Sequence, residues 1–501
     1  MKRAISITAL FLVAACGGGG QATYGPDKVQ IPVSDGSQKR QHADTGAKRE
    51  SPPPSGVAKE APFPAIGRSK LANGMTVDVV TSRALPIVQI RVLVRAGSGA
   101  GPAPGVADIT AEMLKDGGTR ALTSAELLRR IETLGADLSV HSDFDGTMLS
   151  MGVTKDVLGE ALTLLASVVR EPRFDEGELK KTKARAIDQA EDAARSSGSF
   201  MASFVVYREL FGEKHPYGNY GLLPSQIAKV TGAQIRDFHR RFFVPKATTL
   251  VLAGDVDDAT AKAAAEKAFG GWTGGDAPKV DVPPIHAPEK TKVIIAHRKK
   301  SVQSDVFVAM VAPPRKVANW AQVRVTNQVL GGGVASRLFA DVREQRSLAY
   351  RTNSFIPELA NGDQPLLMYA GTQTEKTRAA VEGLLENASK MKSSPPSSTE
   401  VETARRYLSD VFAIRMETIG SIAEMVVAQE TFGLPDGYWD QYRKELRATE
   451  PAQAAAVAEK LYHPDKALIV VAGDADVIAP ELAKIGEVTI VDPEKEFKVV
   501  K

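Results

Sequence analysis

The sequence predicts an α+β protein made of two homologous halves, and three observations carry that prediction. Strand-like segments come in pairs, and each group is followed by a run of helical segments. The stretch Phe-Val-Pro-Lys-Ala-Thr-Thr-Leu-Val-Leu-Ala-Gly-Asp, from Phe243 to Asp255, matches Tyr-His-Pro-Asp-Lys-Ala-Leu-Ile-Val-Val-Ala-Gly-Asp, from Tyr462 to Asp474. Pro245 and Pro464, Gly254 and Gly473, and Asp255 and Asp474 each lie 219 positions apart. A period that long marks a duplicated domain rather than a solenoid repeat. Between the copies, residues 273–288 hold two glycines and four prolines and read as a linker.

The elements follow in order. Met1-Lys2-Arg3 and the short apolar run 4–13 read as a secretory signal peptide over 1–15, too short to span a bilayer. Residues 16–61 are rich in Gly, Pro, Ser, Lys and Gln, cannot bury enough surface to offset ordering entropy, and read as a disordered tether. The first folded half, 62–272, opens with a hairpin signal at Asn73-Gly74. A strand over 87–94 follows, then a Gly/Pro loop over 97–105 and a short helix over 108–115 ended by Gly117-Gly118. Next come a helix over 123–134 capped at Ser124, a strand pair over 138–153, helices over 155–169 and 176–195, and a strand over 248–253. The second half, 289–495, repeats the pattern. Its strands fall at 292–296, 306–311 and 366–370, and its helices at 320–330, 375–392 and 400–416.

The 501-residue length exceeds what one core fills. Composition, 43% hydrophobic and 25% charged, is ordinary for a globular protein. With 63 basic against 60 acidic residues, the chain has no electrostatic footprint for nucleic acid, which is therefore not an expected partner.

The most informative stretch is Gly331 to Tyr350, Gly-Gly-Gly-Val-Ala-Ser-Arg-Leu-Phe-Ala-Asp-Val-Arg-Glu-Gln-Arg-Ser-Leu-Ala-Tyr. Gly331, Gly332 and Gly333 release the backbone from the usual steric limits. Leu338 and Val342 then stand at helical i, i+4 spacing, and a strand begins near Tyr350. Arg337, a permanent cation with five donors, and Tyr350 bracket the helix and together could hold an extended peptide. The alternative from spacing alone is an Arg337–Asp341 ion pair with Tyr350 in the core.

Taken together, the Asn73-Gly74 hairpin, Ala96-Gly97-Ser98, His215-Pro-Tyr-Gly218, the paired Ala-Gly-Asp strand ends and Gly331 to Tyr350 resemble the pitrilysin/insulysin zinc peptidases, the inverzincins. The processing peptidases and the core proteins of the respiratory bc1 complex are members. The resemblance implies a duplicated domain of sandwich-like halves forming half of a clam-shell. It also implies a first-half helix in which H-x-x-E-H binds zinc and activates water, with a distal glutamate ligand. Here the two histidine positions fall on Asp108 and Glu112, the base position on Ala111 and the distal ligand on Gln189. Zinc prefers imidazole and thiolate, and alanine takes no proton, so neither metal nor base is expected in this chain. The remaining histidines, His42, His141, His215, His239, His286, His297 and His463, show no metal-ligand spacing.

By the same resemblance, Arg337 and Tyr350 occupy the family's substrate-binding positions, and the glycine loop resembles the substrate-engaging loop of a non-catalytic processing-peptidase subunit. The implied function is a non-catalytic subunit presenting peptide to a partner chain of the same fold, which carries the zinc. The alternative is a structural or binding protein of the cell envelope. Leu12-Val13-Ala14-Ala15-Cys16 resembles a bacterial lipobox, which implies lipidation of Cys16 and an anchor in the outer membrane facing the periplasm.

Overall fold

Two mixed sheets carry the molecule. The computed structural model describes residues 61–500, so the signal segment, Cys16 and the tether before residue 61 lie outside the described residues. The strands are β1 (Gly67–Lys70), β2 (Thr76–Thr81), β3 (Ile87–Val94), β4 (Ser139–Ser142), β5 (Thr147–Thr154) and β6 (Thr248–Gly254) in the first half. In the second they are β7 (Lys292–His297), β8 (Gln303–Ala312), β9 (Ala349–Phe355), β10 (Gln364–Gln373), β11 (Leu468–Gly473), β12 (Val488–Asp492) and β13 (Lys498–Val499).

The first sheet runs β1-β2-β6-β3-β5-β4 and the second β13-β12-β7-β11-β8-β10-β9. Without the additions at one edge, the orders β2-β6-β3-β5-β4 and β7-β11-β8-β10-β9 coincide element by element. The parallel pair is also the same, β2 with β6 and β7 with β11. The 219-residue offset in the sequence is therefore a duplication of topology. Its marker segments are β6 and β11, the central strands, buried at every position. Continuous apolar runs are what a strand covered on both faces requires.

What covers those faces was not foreseen. Each sheet carries helices of its own half on one face. On the other face it carries a helix from the opposite half. Helix Gly198–Phe211 of the first half lays Met201, Phe204 and Val205 on Ile294, Phe307 and Val470 of the second sheet. Helix Ile419–Thr431 of the second half lays Ile422, Ala423, Val426 and Val427 on Val80, Leu93, Val251 and Ala253 of the first. Each such fully buried side chain is worth about 1.5–3 kcal/mol, so the exchange ties the halves together. Helix Gly198–Phe211 starts close against β8: a Cβ at Gly198 would push aside the carboxylate of Asp305.

Element by element, the agreement is close. The Asn73-Gly74 turn forms, with Gly74 at φ +89° and the Asn73 amide donating to the carbonyls of Phe269 and Trp272 at 2.8 and 3.0 Å. Helices Val106–Asp116, Leu158–Arg170, Glu176–Ser196, Trp320–Gly331, Thr377–Ser393 and Ser398–Arg415 stand where expected. The helix after Gly118 is capped by Thr123 rather than Ser124. The Thr123 hydroxyl accepts from the Glu126 amide, and Glu126 closes a capping box. No helix among the described residues is long and apolar enough to cross a membrane.

Candidate functional site

Two regions concentrate chemistry, one in each half. The first is helix Val106–Asp116, packed between β4 and helix Glu176–Ser196. Asp108, Ala111, Glu112 and Gln189 all line one cavity of about 310 Å³ here, so the four positions do converge. His141 of β4 joins them, although nothing in its spacing connects it to the helix. Asp108 is half-buried. Its Oδ2 is inaccessible and has no hydrogen-bond partner. Burial pushes its carboxyl up to about 6; His141 partly opposes that rise and Glu112 adds to it.

This donor set does not fit zinc. Two carboxylates, an amide and one imidazole replace the imidazole-rich tetrahedral set zinc selects, and Ala111 offers no base. Among the described residues, one group brings three metal-competent side chains within 4.8 Å, His297, Asp474 and Asp476. That group is committed to structure. His297 Nδ1 accepts the Ala475 amide at 3.0 Å, and Asp474 caps helix Ala475–Leu482.

The second region is the stretch from Gly331 to Tyr350. Gly331, Gly332 and Gly333 do not form a left-handed loop; none has positive φ. Gly331 closes its helix, and a Cβ there would collide with the backbone nitrogen of Ser354 on β9. The glycine permits contact rather than motion. Asn327 and Ser354 seal the same junction, Asn327 Nδ2 donating to Ser354 O at 3.1 Å and Ser354 Oγ to Asn327 Oδ1 at 2.5 Å.

Phe339–Gln345 then winds as a wide i→i+5 turn, the Arg346 amide donating to Asp341 O at 3.0 Å. Wide turns of this kind often accompany functional sites.

Arg337 does not face Tyr350. Nε and Nη2 grip Glu400 at 2.6 and 2.9 Å. Nη1 donates to Lys390 O and Ser394 O at 3.1 and 2.8 Å, and Nη2 to Pro395 O at 3.3 Å. All five donors are committed. They cap the last carbonyls of helix Thr377–Ser393 and bind the first turn of helix Ser398–Arg415. The guanidinium holds Glu400 down to about 2. A peptide could use Arg337 only by displacing Glu400. The Arg337–Asp341 alternative is also absent, because Asp341 pairs with Arg346 at 2.9 Å.

The arginine beside Tyr350 is Arg343. Its guanidinium carbon lies 5.5 Å from the Tyr350 ring centroid and 4.5 Å from that of Phe339. The i, i+4 spacing of Phe339 and Arg343 was the signal in the sequence that could have pointed to it. Tyr350 is 87% exposed on the edge strand β9, so it is not a core residue. Arg343 and Tyr350, with Asp305, Arg351, Tyr369 and Lys376, line a cavity of about 780 Å³. Its floor is ordered: the Tyr369 hydroxyl donates to Asp305 at 2.7 Å, and Arg351 stacks over the Tyr369 ring at 5.7 Å.

Two family models match, the insulinase family, peptidase family M16, over residues 78–204 and the peptidase M16 inactive domain over 229–408. Among curated relatives, an uncharacterized zinc protease YmxG of Bacillus subtilis is 24% identical across 71% of this chain and 85% of its own length. A Helicobacter pylori protein called the non-peptidase homolog YmxG is 25% identical across 66% and 76%. A solved peptidase M16 inactive domain from Pseudomonas fluorescens superposes with a TM-score of 0.76, at 26% identity over 82% of this chain and 98% of that one. A solved Helicobacter pylori protease shares the fold, with a TM-score of 0.74 at 19% identity, over 82% of this chain and 99% of that one.

Proposed function

Because the chain belongs to peptidase family M16, we propose that it is the non-catalytic, substrate-binding subunit of a two-chain zinc peptidase of the cell envelope. The partner is a chain of the same fold carrying H-x-x-E-H and the zinc. A lipid on Cys16 holds this subunit at the outer membrane, facing the periplasm.

The observation that carries the reading is the exposed Tyr350 ring beside the Arg343 guanidinium, at the edge of a strand and the mouth of a cavity. The ring and cation can hold a peptide by stacking and by hydrogen bonds to its carbonyls. The loss of both histidines and the base from helix Val106–Asp116 supports placing the bond-breaking step in the partner. Arg337 contributes by fixing the two helices under the loop rather than by touching peptide.

The test pairs the chain with an H-x-x-E-H chain of the same fold and follows peptide cleavage. Addition of this subunit is expected to raise kcat/KM at least tenfold, about 1.4 kcal/mol. Arg343→Ala and Tyr350→Ala should each remove most of that gain while leaving the complex assembled. No acceleration by the unaltered subunit, or full acceleration by both variants, would leave a structural role in the envelope instead.

A further inference from the structure

The cavity in the first half has an unused capacity of its own. Asp108 and Glu112 stand one helical turn apart and both line it. Among the described residues neither carboxylate is in an ion pair, and Asp108 Oδ2 hydrogen-bonds nothing. A buried carboxylate without a partner is costly, and the cost falls when a cation joins it. Burial raises the Asp108 carboxyl to about 6, against the lowering effect of its own backbone amide and of His141. Asp108, Glu112 and His141 do not form a cluster tight enough to close on one metal ion. A larger cation with spread donors fits better. The remaining wall is apolar, formed by Ile109, Val140, Ala190, Phe200, Leu222 and Ile227. At about 310 Å³ the space is at the small end of ligand pockets. Exposed His141 and Gln189 stand at its rim.

We propose that this cavity binds an alkylammonium group, its NH₃⁺ donating to Asp108 and Glu112 and its methylene stem lying along the apolar wall. A lysine side chain of a peptide and a free alkylamine share that chemistry. The inference goes beyond the Tyr350 site and needs no partner chain, so its failure would leave the presenting role untouched.

The experiment is calorimetric titration of the full chain alone with n-butylamine and with two capped tripeptides, acetyl-Ala-Lys-Ala-amide and its norleucine counterpart. The lysine peptide is expected to bind at least tenfold more tightly than the norleucine peptide. Asp108→Asn and Glu112→Gln should each weaken lysine binding tenfold or more, with thermal unfolding showing both variants folded. Butylamine binding as tightly as the lysine peptide assigns the site to free amines; much weaker butylamine binding assigns it to a peptide side chain. Equal binding of the lysine and norleucine peptides, no binding by either, or unchanged lysine affinity in Asp108→Asn overturns the proposal. So does stoichiometric binding of zinc or magnesium that Asp108→Asn abolishes.

Discussion

The same junction is open in one half and closed in the other. In the first half, helix Val106–Asp116 packs on β4 beside a cavity lined by a carboxylate oxygen that has no hydrogen-bond partner. In the second, the equivalent helix Trp320–Gly331 meets β9 with no gap. Gly331 lies against the Ser354 nitrogen, and Asn327 and Ser354 bond each other twice. The duplicated topology is common to both; what differs is a handful of side chains. Closing the second junction moves the exposed chemistry outward, to Arg343 and Tyr350. A duplicated fold can thus place binding on different sides of the same two elements.

The largest expected effect tests the closure. Gly331→Val puts a branched side chain against backbone that cannot give, and should cost about 3 kcal/mol by overpacking. Ala111→Leu, on the equivalent helix of the first half, extends into the open cavity and should cost under about 1 kcal/mol. Denaturant midpoints of the two variants measure the difference. Equal losses would mean that the two junctions are equally tight and the comparison is mistaken.

Next is the clamp under the loop. Arg337→Ala breaks five hydrogen bonds and leaves Glu400 without its partner. Losing one member of a buried pair costs roughly 3–5 kcal/mol, but Glu400 is partly solvated, so about 2 kcal/mol is expected here. The pH dependence fixes the sign. Glu400 is lowered from 4.5 to about 2, mainly by its hydrogen bonds to Arg337. Its contribution is therefore present above pH 4.5 and is lost as pH falls from 4.5 towards 2. Arg337→Ala should flatten the stability curve in that window. Arg337→Lys should restore little, because one ammonium cannot reproduce the bidentate fork.

Much of this was legible in the sequence, and the gaps have physical causes. The strand Ile87–Val94 was read to the residue because β-branched positions bounded by turn residues have few other solutions. The duplication was legible because a doubly covered central strand constrains every position. Helices Gly198–Phe211 and Ile419–Thr431 were not, because each is apolar on more than one face and shows no clean helical stripe. The four replaced family positions converge as expected, whereas His141 reaches the same cavity from a strand that only the fold brings there. In the loop the sequence offered three arginines, of which Arg346 is paired with Asp341 and Glu386. The family resemblance favoured Arg337, which with Tyr350 brackets the helix. The wide turn and Glu400, 63 residues on, assign it to the scaffold and leave Arg343 beside the tyrosine.

The smallest effect tests the open junction. Asp108 titrates near 6 in the folded chain against 3.8 ordinarily, through burial, with His141 and Glu112 the titratable groups that act on it. Its folded value is the higher one, so the relative stability it gives is full below 3.8 and lost as pH rises through about 6. At neutral pH the carboxylate thus burdens the fold. Asp108→Asn should raise stability by about 1 kcal/mol at pH 7.5, and the gain should vanish at pH 4, where the native carboxyl is already neutral. Melting curves of both proteins at the two pH values decide it. A variant less stable than the parent at pH 7.5 would mean that Asp108 already has a partner in the fold. The first junction would then be as closed as the second.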